Sequence, residues 1–512
     1  MTPHDLGAPE RFQQWRPGQD LAFQHILDSQ KRFDIINAPT GLGKTLLGVL
    51  YAHLMQLPTI ILTSTKGLQD QYVAALPELV TDLRGMGNYD CRLLVEGAAK
   101  RWRKTPKCDE GPCLDGDKCS YLENGCHYFD AFRRAQKAPI VVTNYSLWFS
   151  LLGGTRHLGT RQLLVCDEAH DAPEQVAKAV GCELDPEDVD MPERDQEQSL
   201  GEWKQWAEQK VLDTKLVLQD KSLAPWKKRK LRSLGRSLVR LAHSDSTWLK
   251  SKSETGKWTF QPLWPAPYAE QWLFRAIPKV VMLSATITPQ TVGYLGLKPE
   301  DYHYLDLPSP FPAARRPIVH VPTVRVNKDL DEDGLRMWVT RIDQVIRARQ
   351  DRKGIIHTVS YARAKALYEQ SEFRHQMLLP RTSDETRKMV AQFKAGAAPL
   401  VLVSPSVGTG YDFPYDAARF QIIGKLPFPD LRDPIVSARA KADDNFLTWS
   451  AITGLVQMSG RVVRAEDDLG ETIVIDDTVN APWILKKNAR MFPKWWMEAY
   501  RSQATLPKPI AL

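Results

Sequence analysis

The chain has 512 residues, a net charge of +7 at neutral pH and seven cysteines. This length allows about three or four domains, and the mild basic excess permits a polyanionic partner. The first ten residues lack the basic start and apolar run of a secretory signal, and no apolar stretch is long enough to cross a membrane. We therefore expect a soluble, cytoplasmic protein without a membrane partner, in which clustered cysteines favour a metal site over a disulfide framework.

A phosphate-binding loop is the first chemical motif in the chain. Residues 33–38 predict a short buried strand, and an apolar helix is predicted to follow Thr45. In such a loop, glycines let backbone N–H groups approach phosphate oxygens, a lysine reaches the β- and γ-phosphates, and a hydroxyl binds Mg²⁺. The candidate ATP-binding residues are Ala38, Pro39, Thr40, Gly41, Leu42, Gly43, Lys44 and Thr45, with Lys44 also catalytic and Thr45 also a Mg²⁺ ligand.

A second predicted strand, residues 161–166, leads directly into Asp167-Glu-Ala-His170. Open α/β sheets bind their ligands at the carboxyl ends of the strands. Asp167 is therefore the predicted Mg²⁺ ligand, and Glu168 is the predicted base that orients and deprotonates the attacking water.

Two arginines occur three residues apart in Gln457-Met-Ser-Gly-Arg461-Val-Val-Arg464. On a helix they would share a face and meet the γ-phosphate as arginine fingers. An isolated pair would be read as a solvated surface feature. Because this segment and the one around Asp412 are both predicted to end apolar strands of a second sheet, we predict that the arginines complete the ATP site.

Taken in order, these motifs resemble those of superfamily 2 helicases, and specifically the XPD/DinG iron-sulfur group. The resemblance extends to Trp15-Arg-Pro-Gly-Gln19, Leu283-Ser-Ala-Thr286, Ser309-Pro-Phe311 and Asp412-Phe-Pro. One departure is Thr409, which stands where the family commonly has an acidic residue.

The resemblance implies a role for each matching residue. Gln19 contacts adenine, Asp412 lines the nucleotide cleft, and Gln457 positions water. Arg461 and Arg464 sense the γ-phosphate. The predicted catalytic residues are therefore Lys44, Asp167, Glu168, Gln457, Arg461 and Arg464.

Five of the seven cysteines are crowded into one stretch between the phosphate loop and Asp167: Cys91, Cys108, Cys113, Cys119 and Cys126. Their spacing is too irregular for paired zinc knuckles, yet four thiolates suffice for either Zn²⁺ or a [4Fe-4S] cluster. The spacing alone leaves both metals, and unligated cysteines, open. The family resemblance implies a [4Fe-4S] cluster held by Cys91, Cys113, Cys119 and Cys126, with zinc as the alternative and Cys108 as the spare.

The predicted fold is α/β, with two RecA-like parallel-sheet motor domains. The first is interrupted by an iron-sulfur insert and by a helical arch insert. Motor domain 1 comprises residues 1–85, 138–173 and 268–312; the iron-sulfur insert is 86–137, the arch is 174–267, and motor domain 2 is 313–512.

The arch sequence loses the strand pattern and predicts helices, one of which is strongly basic. Leucines at 231, 234, 238 and 241 follow helical spacing, and arginines at 229, 232, 236 and 240 form a neighbouring stripe. A second basic run, residues 100–107, lies in the cysteine insert. Each run is either a solvated face or a contact for DNA phosphates.

Together these features predict an ATP- and Mg²⁺-dependent DNA helicase, an ATP hydrolase that binds single-stranded DNA and separates forked or tailed duplexes. The resemblance implies 5′-to-3′ movement, and we expect a monomer whose protein partners the sequence does not indicate. One alternative is an RNA helicase or a DNA-stimulated translocase that does not unwind. Another is a nucleic-acid-binding subunit with a vestigial motor.

Overall fold

The computed structural model describes residues 1–97, 105–115, 118–152, 156–220, 222–408, 411–463, 465 and 467–511. Within these residues the strands are β1 Phe33–Asn37, β2 Thr59–Thr63, β3 Thr81–Asp82, β4 Ile140–Asn144, β5 Leu163–Asp167, β6 Cys182–Leu184, β7 Trp248–Lys252, β8 Trp258–Pro262, β9 Lys279–Ser284, β10 Tyr302–Asp306, β11 Ile318–Val324, β12 Gly354–His357, β13 Met377–Leu378, β14 Val401–Ser404, β15 Phe420–Ile423, β16 Glu471–Asp476 and β17 Tyr500–Ser502.

The α-helices of the same described ranges, in chain order, are α1 Gln19–Asp28, α2 Lys44–Leu54, α3 Lys66–Ala75, α4 Arg92–Gly97, α5 His127–Lys137, α6 Tyr145–Ser150, α7 Ala172–Val180, α8 Leu200–Val217, α9 Pro225–Ala242, α10 Ala266–Ala269, α11 Pro289–Gly293, α12 Glu332–Arg347, α13 Tyr361–Gln370, α14 Ser383–Ala395, α15 Pro434–Ala442, α16 Phe446–Ser459 and α17 Lys494–Ala499. In this part of the chain, no helix is both long and apolar enough to span a membrane.

The first domain is built on a seven-stranded sheet in the order β10-β1-β9-β5-β2-β4-β3, and all its strand pairs are parallel. Its strands are apolar on both faces, as expected where helices cover both sides. In β1, Ile35 packs into one hydrophobic core while Ile36 packs into the other. The predicted strands that precede the phosphate loop and Asp167 are confirmed as β1 and β5.

The second domain repeats this architecture with the order β13-β14-β12-β15-β16-β11-β17, again all parallel. Trp338 of α12 is fully buried against one face of this sheet. The predicted α/β class with two parallel-sheet domains is therefore confirmed.

Two segments interrupt the first sheet. The first lies between β3 and β4 and contains the five clustered cysteines on short helices and turns. The second lies between β5 and β9 and contains α8 and α9, which pack against each other as a hairpin. The predicted basic helix is confirmed as α9, with Leu234, Leu238 and Leu241 buried.

The expectation that the second insertion has no strands is wrong. It contains a small antiparallel sheet in the order β6-β8-β7. The sheet is stabilised by aromatic packing: buried Trp203 of α8 lies with its ring centroid 5.1 Å from that of Trp258 and 4.9 Å from that of Phe260. These strands are at most five residues long, and β7 contains two lysines. The sequence therefore shows no clear alternation of apolar and polar residues from which they could be predicted.

Candidate functional site

The phosphate loop lies between the end of β1 and the start of α2. Gly41 and Gly43 have φ angles of 84° and 86°, a left-handed conformation that glycine adopts without strain. A Cβ atom on Gly41 would also lie only 2.1 Å from the ring of Phe311, so a side chain there would collide with that ring. Helix α2 begins at Lys44, so its free N–H groups face the loop, as an anion site requires.

Gln19 and its neighbour Arg16 hold this loop from the side. The buried Gln19 amide donates from Nε2 to the carbonyl of Gly43 at 2.9 Å, and its Oε1 accepts from the backbone N–H of Arg16. Arg16 Nη1 donates to the carbonyl of Gly41 at 2.5 Å. The structure thus brings Gln19 to the loop, and its contact with adenine stays a prediction. Arg16 was missed because a single arginine beside the glutamine carries no pattern of its own.

Asp167 and Glu168 lie at the carboxyl end of β5, in the same cavity as the phosphate loop. Burial, followed by the charge of Glu168, raises the pKa of Asp167 to about 6. Burial acts to raise the pKa of Glu168 as well, but the hydrogen bond from His170 and the charge of Lys44 outweigh it and lower that pKa. The two adjacent carboxyl groups therefore differ in proton affinity, with Glu168 the more firmly ionised.

His170 connects this site to the rest of the cleft, a role that sequence reasoning missed. Its ring nitrogens lie 2.7 Å from Ser284 Oγ and 3.1 Å from Gln457 Nε2. Burial acts to lower the pKa of His170, but the carboxylates of Asp171 and Glu168 outweigh it and raise that pKa to about 10. The last residue of the Asp167-Glu-Ala-His170 motif could have signalled this role, because a histidine beside carboxylates is readily charged.

Gln457 and Arg461 reach the cleft from the second domain. Gln457 Nε2 donates to Thr286 Oγ1 at 2.6 Å, and Gln457 Oε1 accepts from Arg461 Nη2 at 3.0 Å. Arg461 Nη1 lies 3.5 Å from the carboxylate of Asp412. A network of side chains therefore runs across the two domains from His170 to Asp412.

The expectation that Arg461 and Arg464 share a helix face is wrong for Arg461. Helix α16 ends at Ser459, and the segment precedes β16 instead of ending a strand. Arg461 is instead held beyond the helix by donating to the carbonyls of Gly408 and Tyr411. Arg464 lies outside the described residues, as does Thr409.

These groups line one cavity of about 580 Å³ between the two sheets. Of the predicted site residues, it is lined by Thr40, Gly41, Gly43, Lys44, Thr45, Asp167, Glu168, Asp412, Gln457 and Arg461. Ala38, Pro39 and Leu42 complete the loop from behind, where Ala38 accepts a hydrogen bond from Lys44 Nζ through its carbonyl at 3.2 Å. Thr45 and Asp167 share the cavity, so a hydroxyl and a carboxylate are available there for Mg²⁺.

The five clustered cysteines line a second pocket together. Among the residues the structure describes, no three of their sulfur atoms lie within 4.8 Å of one another. A tetrahedral zinc site with Zn–S bonds of about 2.3 Å brings its sulfurs to within about 3.8 Å. All five thiols therefore face one pocket, but within the described residues no three of them are as close together as the sulfurs of a bound zinc ion.

Cys108 differs from the other four in its contacts. It is buried, and its Sγ donates to the carbonyl of Asp90 at 3.3 Å. The same thiol also interacts with that of Cys126. The choice of Cys91, Cys113, Cys119 and Cys126 as ligands stays a prediction, and the contact with Asp90 is compatible with Cys108 as the spare.

The basic residues of the insertions are largely engaged within the protein. Arg240 donates to the carbonyls of Ala179 and Gly181, and Lys107 pairs with Asp90 at 2.6 Å. Arg229 lies 3.3 Å from Glu110, which links α9 to the cysteine segment. Residues 100–104 lie outside the described part of the chain. Two of the four α9 arginines predicted to contact DNA phosphates, Arg229 and Arg240, are therefore already held by contacts within the protein.

Fold and site together show two parallel-sheet domains with a phosphate-loop cavity between them. A DEAD/DEAH box helicase model matches residues 16–180, and a helicase C-terminal domain model matches residues 343–499. The ATP-dependent helicase DinG of Mycobacterium tuberculosis is 28% identical over 208 residues, which cover 39% of this chain and 31% of that protein. This alignment thus spans about a third of the DinG relative.

Other relatives match over nearly the whole chain. The ATP-dependent DNA helicase YoaA of Escherichia coli is 24% identical, with 86% of this chain and 88% of that protein covered. A solved XPD helicase superposes on this chain with a TM-score of 0.65 at 15% identity, and the superposition covers 95% of this chain and 99% of that one. The structure of S. tokodaii Xpd4 superposes with a TM-score of 0.57 at 13% identity and covers 96% of this chain and 100% of that one. In sequence the chain is thus similar to DEAD/DEAH box helicases and to the helicases DinG and YoaA, and in fold it is similar to XPD.

Proposed function

We propose that this protein is an ATP- and Mg²⁺-dependent DNA helicase that moves 5′ to 3′ along single-stranded DNA and separates tailed duplexes. The observation that carries the proposal is the cavity in which the phosphate loop and Glu168 of one domain face Gln457 and Arg461 of the other. Such a cavity lets ATP binding draw the domains together and lets hydrolysis release them. The names of DinG and YoaA as ATP-dependent helicases support the same activity.

Each residue of the cavity has a distinct part in hydrolysis. The backbone N–H groups of Gly41 and Gly43, together with Lys44, bind the phosphates. Thr45 and Asp167 would hold Mg²⁺, which neutralises the charge of the β- and γ-phosphates. Glu168, kept ionised by its neighbours, accepts the proton of the attacking water.

The second domain supplies the remaining groups. Gln457 orients the water, and the guanidinium of Arg461 stabilises the charge that develops on the γ-phosphate. Because Gln457 contacts both Thr286 and His170, a change at the phosphate is transmitted to β9 and to α16 together. Arg464 has the same proposed role as Arg461.

We also propose that Cys91, Cys113, Cys119 and Cys126 hold a [4Fe-4S] cluster. The shared pocket and the wide sulfur spacing support a polynuclear group over a single zinc ion. The cluster would cross-link a segment that has little regular structure of its own, so that the segment can act as a rigid wedge beside the DNA. Iron and sulfide in the anaerobically purified protein test this assignment, and stoichiometric zinc without sulfide would overturn it.

The activity is tested by comparing nucleic acids on one preparation. ATP hydrolysis is measured with single-stranded DNA and with RNA of the same sequence, and strand separation is measured on the matching tailed duplexes. We expect stimulation and unwinding with DNA. Unwinding of RNA alone would identify an RNA helicase, hydrolysis without unwinding would identify a translocase, and no hydrolysis above that of Lys44→Ala would identify a vestigial motor.

A further inference from the structure

Three potential metal ligands converge at the far end of the first sheet from the ATP cavity. Asp34 of β1 and His303 of β10 are direct neighbours in the parallel register, so their side chains lie on the same face. His25, from the last turn of α1, lies over them. The ligand atoms of these three side chains all lie within 4.8 Å of one another.

The buried atoms of this cluster lack hydrogen bonds. The side chain of Asp34 is fully buried, and its Oδ1 has neither a hydrogen bond nor an ion-pair partner; His25 Nε2 is likewise buried and without a hydrogen-bond partner. Buried polar atoms are nearly always satisfied, and those that are not call for an explanation such as a bound ion.

Lys279 supplies the competing explanation. Its Nζ lies 2.6 Å from Asp34 Oδ2, outside hydrogen-bond geometry, while it also donates to the carbonyls of Ser29 and Lys31. This ion pair offsets the charge of the carboxylate. It leaves Oδ1 and the His25 nitrogen without partners.

We propose that His25, Asp34 and His303 form a binding site for one divalent transition-metal ion of the zinc type. Two imidazoles and one carboxylate are a ligand set that Zn²⁺, Co²⁺ and Fe²⁺ accept, with water in the remaining positions. Asp34 binds through Oδ1 and keeps Lys279 on Oδ2. The set contains no thiol, which distinguishes it from the cysteine cluster.

The two imidazole rings must separate for the ion to bind. They are stacked with centroids 3.8 Å apart and an angle of 22° between planes, so their lone pairs lie in nearly parallel planes. His303 is exposed and lies on the edge strand β10, so we infer that its ring is the one that moves. His25 and Asp34 form the fixed part of the site.

The site is separate from the nucleotide chemistry but connected to it through the fold. Asp34 precedes the phosphate loop by four residues of extended chain, or about 13 Å. A bound ion would tie α1, which carries Gln19, to the strand that leads into the loop. We therefore expect the ion to stabilise the first domain without taking part in hydrolysis.

The test is a titration of the intact protein, with its cysteine-bound group in place, by Co²⁺. Cobalt bound to nitrogen and oxygen gives visible ligand-field bands without the strong sulfur-to-cobalt charge-transfer absorption of a thiolate site. We expect the wild type to bind one equivalent of Co²⁺ with these nitrogen- and oxygen-type bands, and we expect His303→Asn and His25→Asn to bind none. His375→Asn, which removes an exposed histidine of the second domain, is the matched control and keeps the site.

The melting temperature, measured with and without Zn²⁺, distinguishes loss of the metal site from misfolding of a variant. Zn²⁺ should raise the melting temperature of the wild type and of His375→Asn, and it should leave that of His303→Asn unchanged. His303 is exposed, so this variant should fold normally. Equal cobalt binding in all variants, thiolate-type spectra alone, or no binding in the wild type would each overturn the proposal and leave the Asp34–Lys279 ion pair as the full explanation.

Discussion

The ATP cavity and the cysteine segment differ in what holds their functional groups in position. In the cavity, strand ends and left-handed glycines fix the phosphate loop, and hydrogen bonds fix Gln19, Gln457 and Arg461. In the cysteine segment, short helices and turns carry five thiols around one pocket. The first site is held in position by the fold itself, whereas the second is proposed to be held by a bound cluster. Substitutions in the two regions should therefore impair different properties of the protein.

The largest effect is expected at Lys44. Lys44→Ala removes the cation that we propose binds the β- and γ-phosphates, and it should reduce DNA-stimulated ATP hydrolysis by about 10²- to 10³-fold. The fold and the iron content should not change, because the loop is held by its backbone. Steady-state hydrolysis with single-stranded DNA measures the loss. The control Lys178→Ala removes an exposed lysine of α7 and should behave as wild type.

A substitution in the cysteine segment should have the opposite pattern. Cys113→Ser should lose iron and sulfide and abolish strand separation, because the segment then lacks its cross-link. ATP binding at Lys44 should persist. Cys108→Ser should retain the cluster. Metal and sulfide analysis of both variants decides the matter, and loss of iron from Cys108→Ser would show that the ligand set is wrong.

A smaller effect is expected for the network between the domains. Gln457→Ala removes contacts to Thr286, His170 and Arg461, and should lower kcat about 10-fold, or about 1.4 kcal/mol of transition-state stabilisation. The KM for ATP should change little, since the phosphate loop is untouched. Gln13→Ala, on the exposed surface, is the control. A rise in KM at constant kcat would assign Gln457 to ATP binding instead.

The last expected effect concerns stability and not catalysis, and it is a pH dependence at His170. Its pKa in the folded protein is raised to about 10, so the stabilisation by its carboxylate partners is fully present below the unfolded pKa of about 6.5 and is lost as the pH rises through 10. The difference in melting temperature between wild type and His170→Asn should therefore shrink from pH 6.5 to pH 10. A constant difference would indicate a neutral His170.

The elements that local pattern determines were predictable from sequence. The apolar run of β1, the glycines after it and the apolar helix after Lys44 are consecutive in the chain, and so are β5 and Asp167. Contacts that depend on tertiary packing were not. Nothing local indicates that α16 ends before Arg461, that Phe311 covers Gly41, or that β6 and β8 form a sheet around Trp203.

If ATP hydrolysis in the cavity drives movement on DNA, the protein should separate the strands of a tailed duplex. Duplexes with a 5′ or a 3′ single-stranded DNA tail are incubated with ATP and Mg²⁺, using wild type and Lys44→Ala. We expect the wild type alone to unwind the 5′-tailed duplex. Equal unwinding by Lys44→Ala, or no unwinding of either DNA substrate by an iron-loaded wild type, would contradict it.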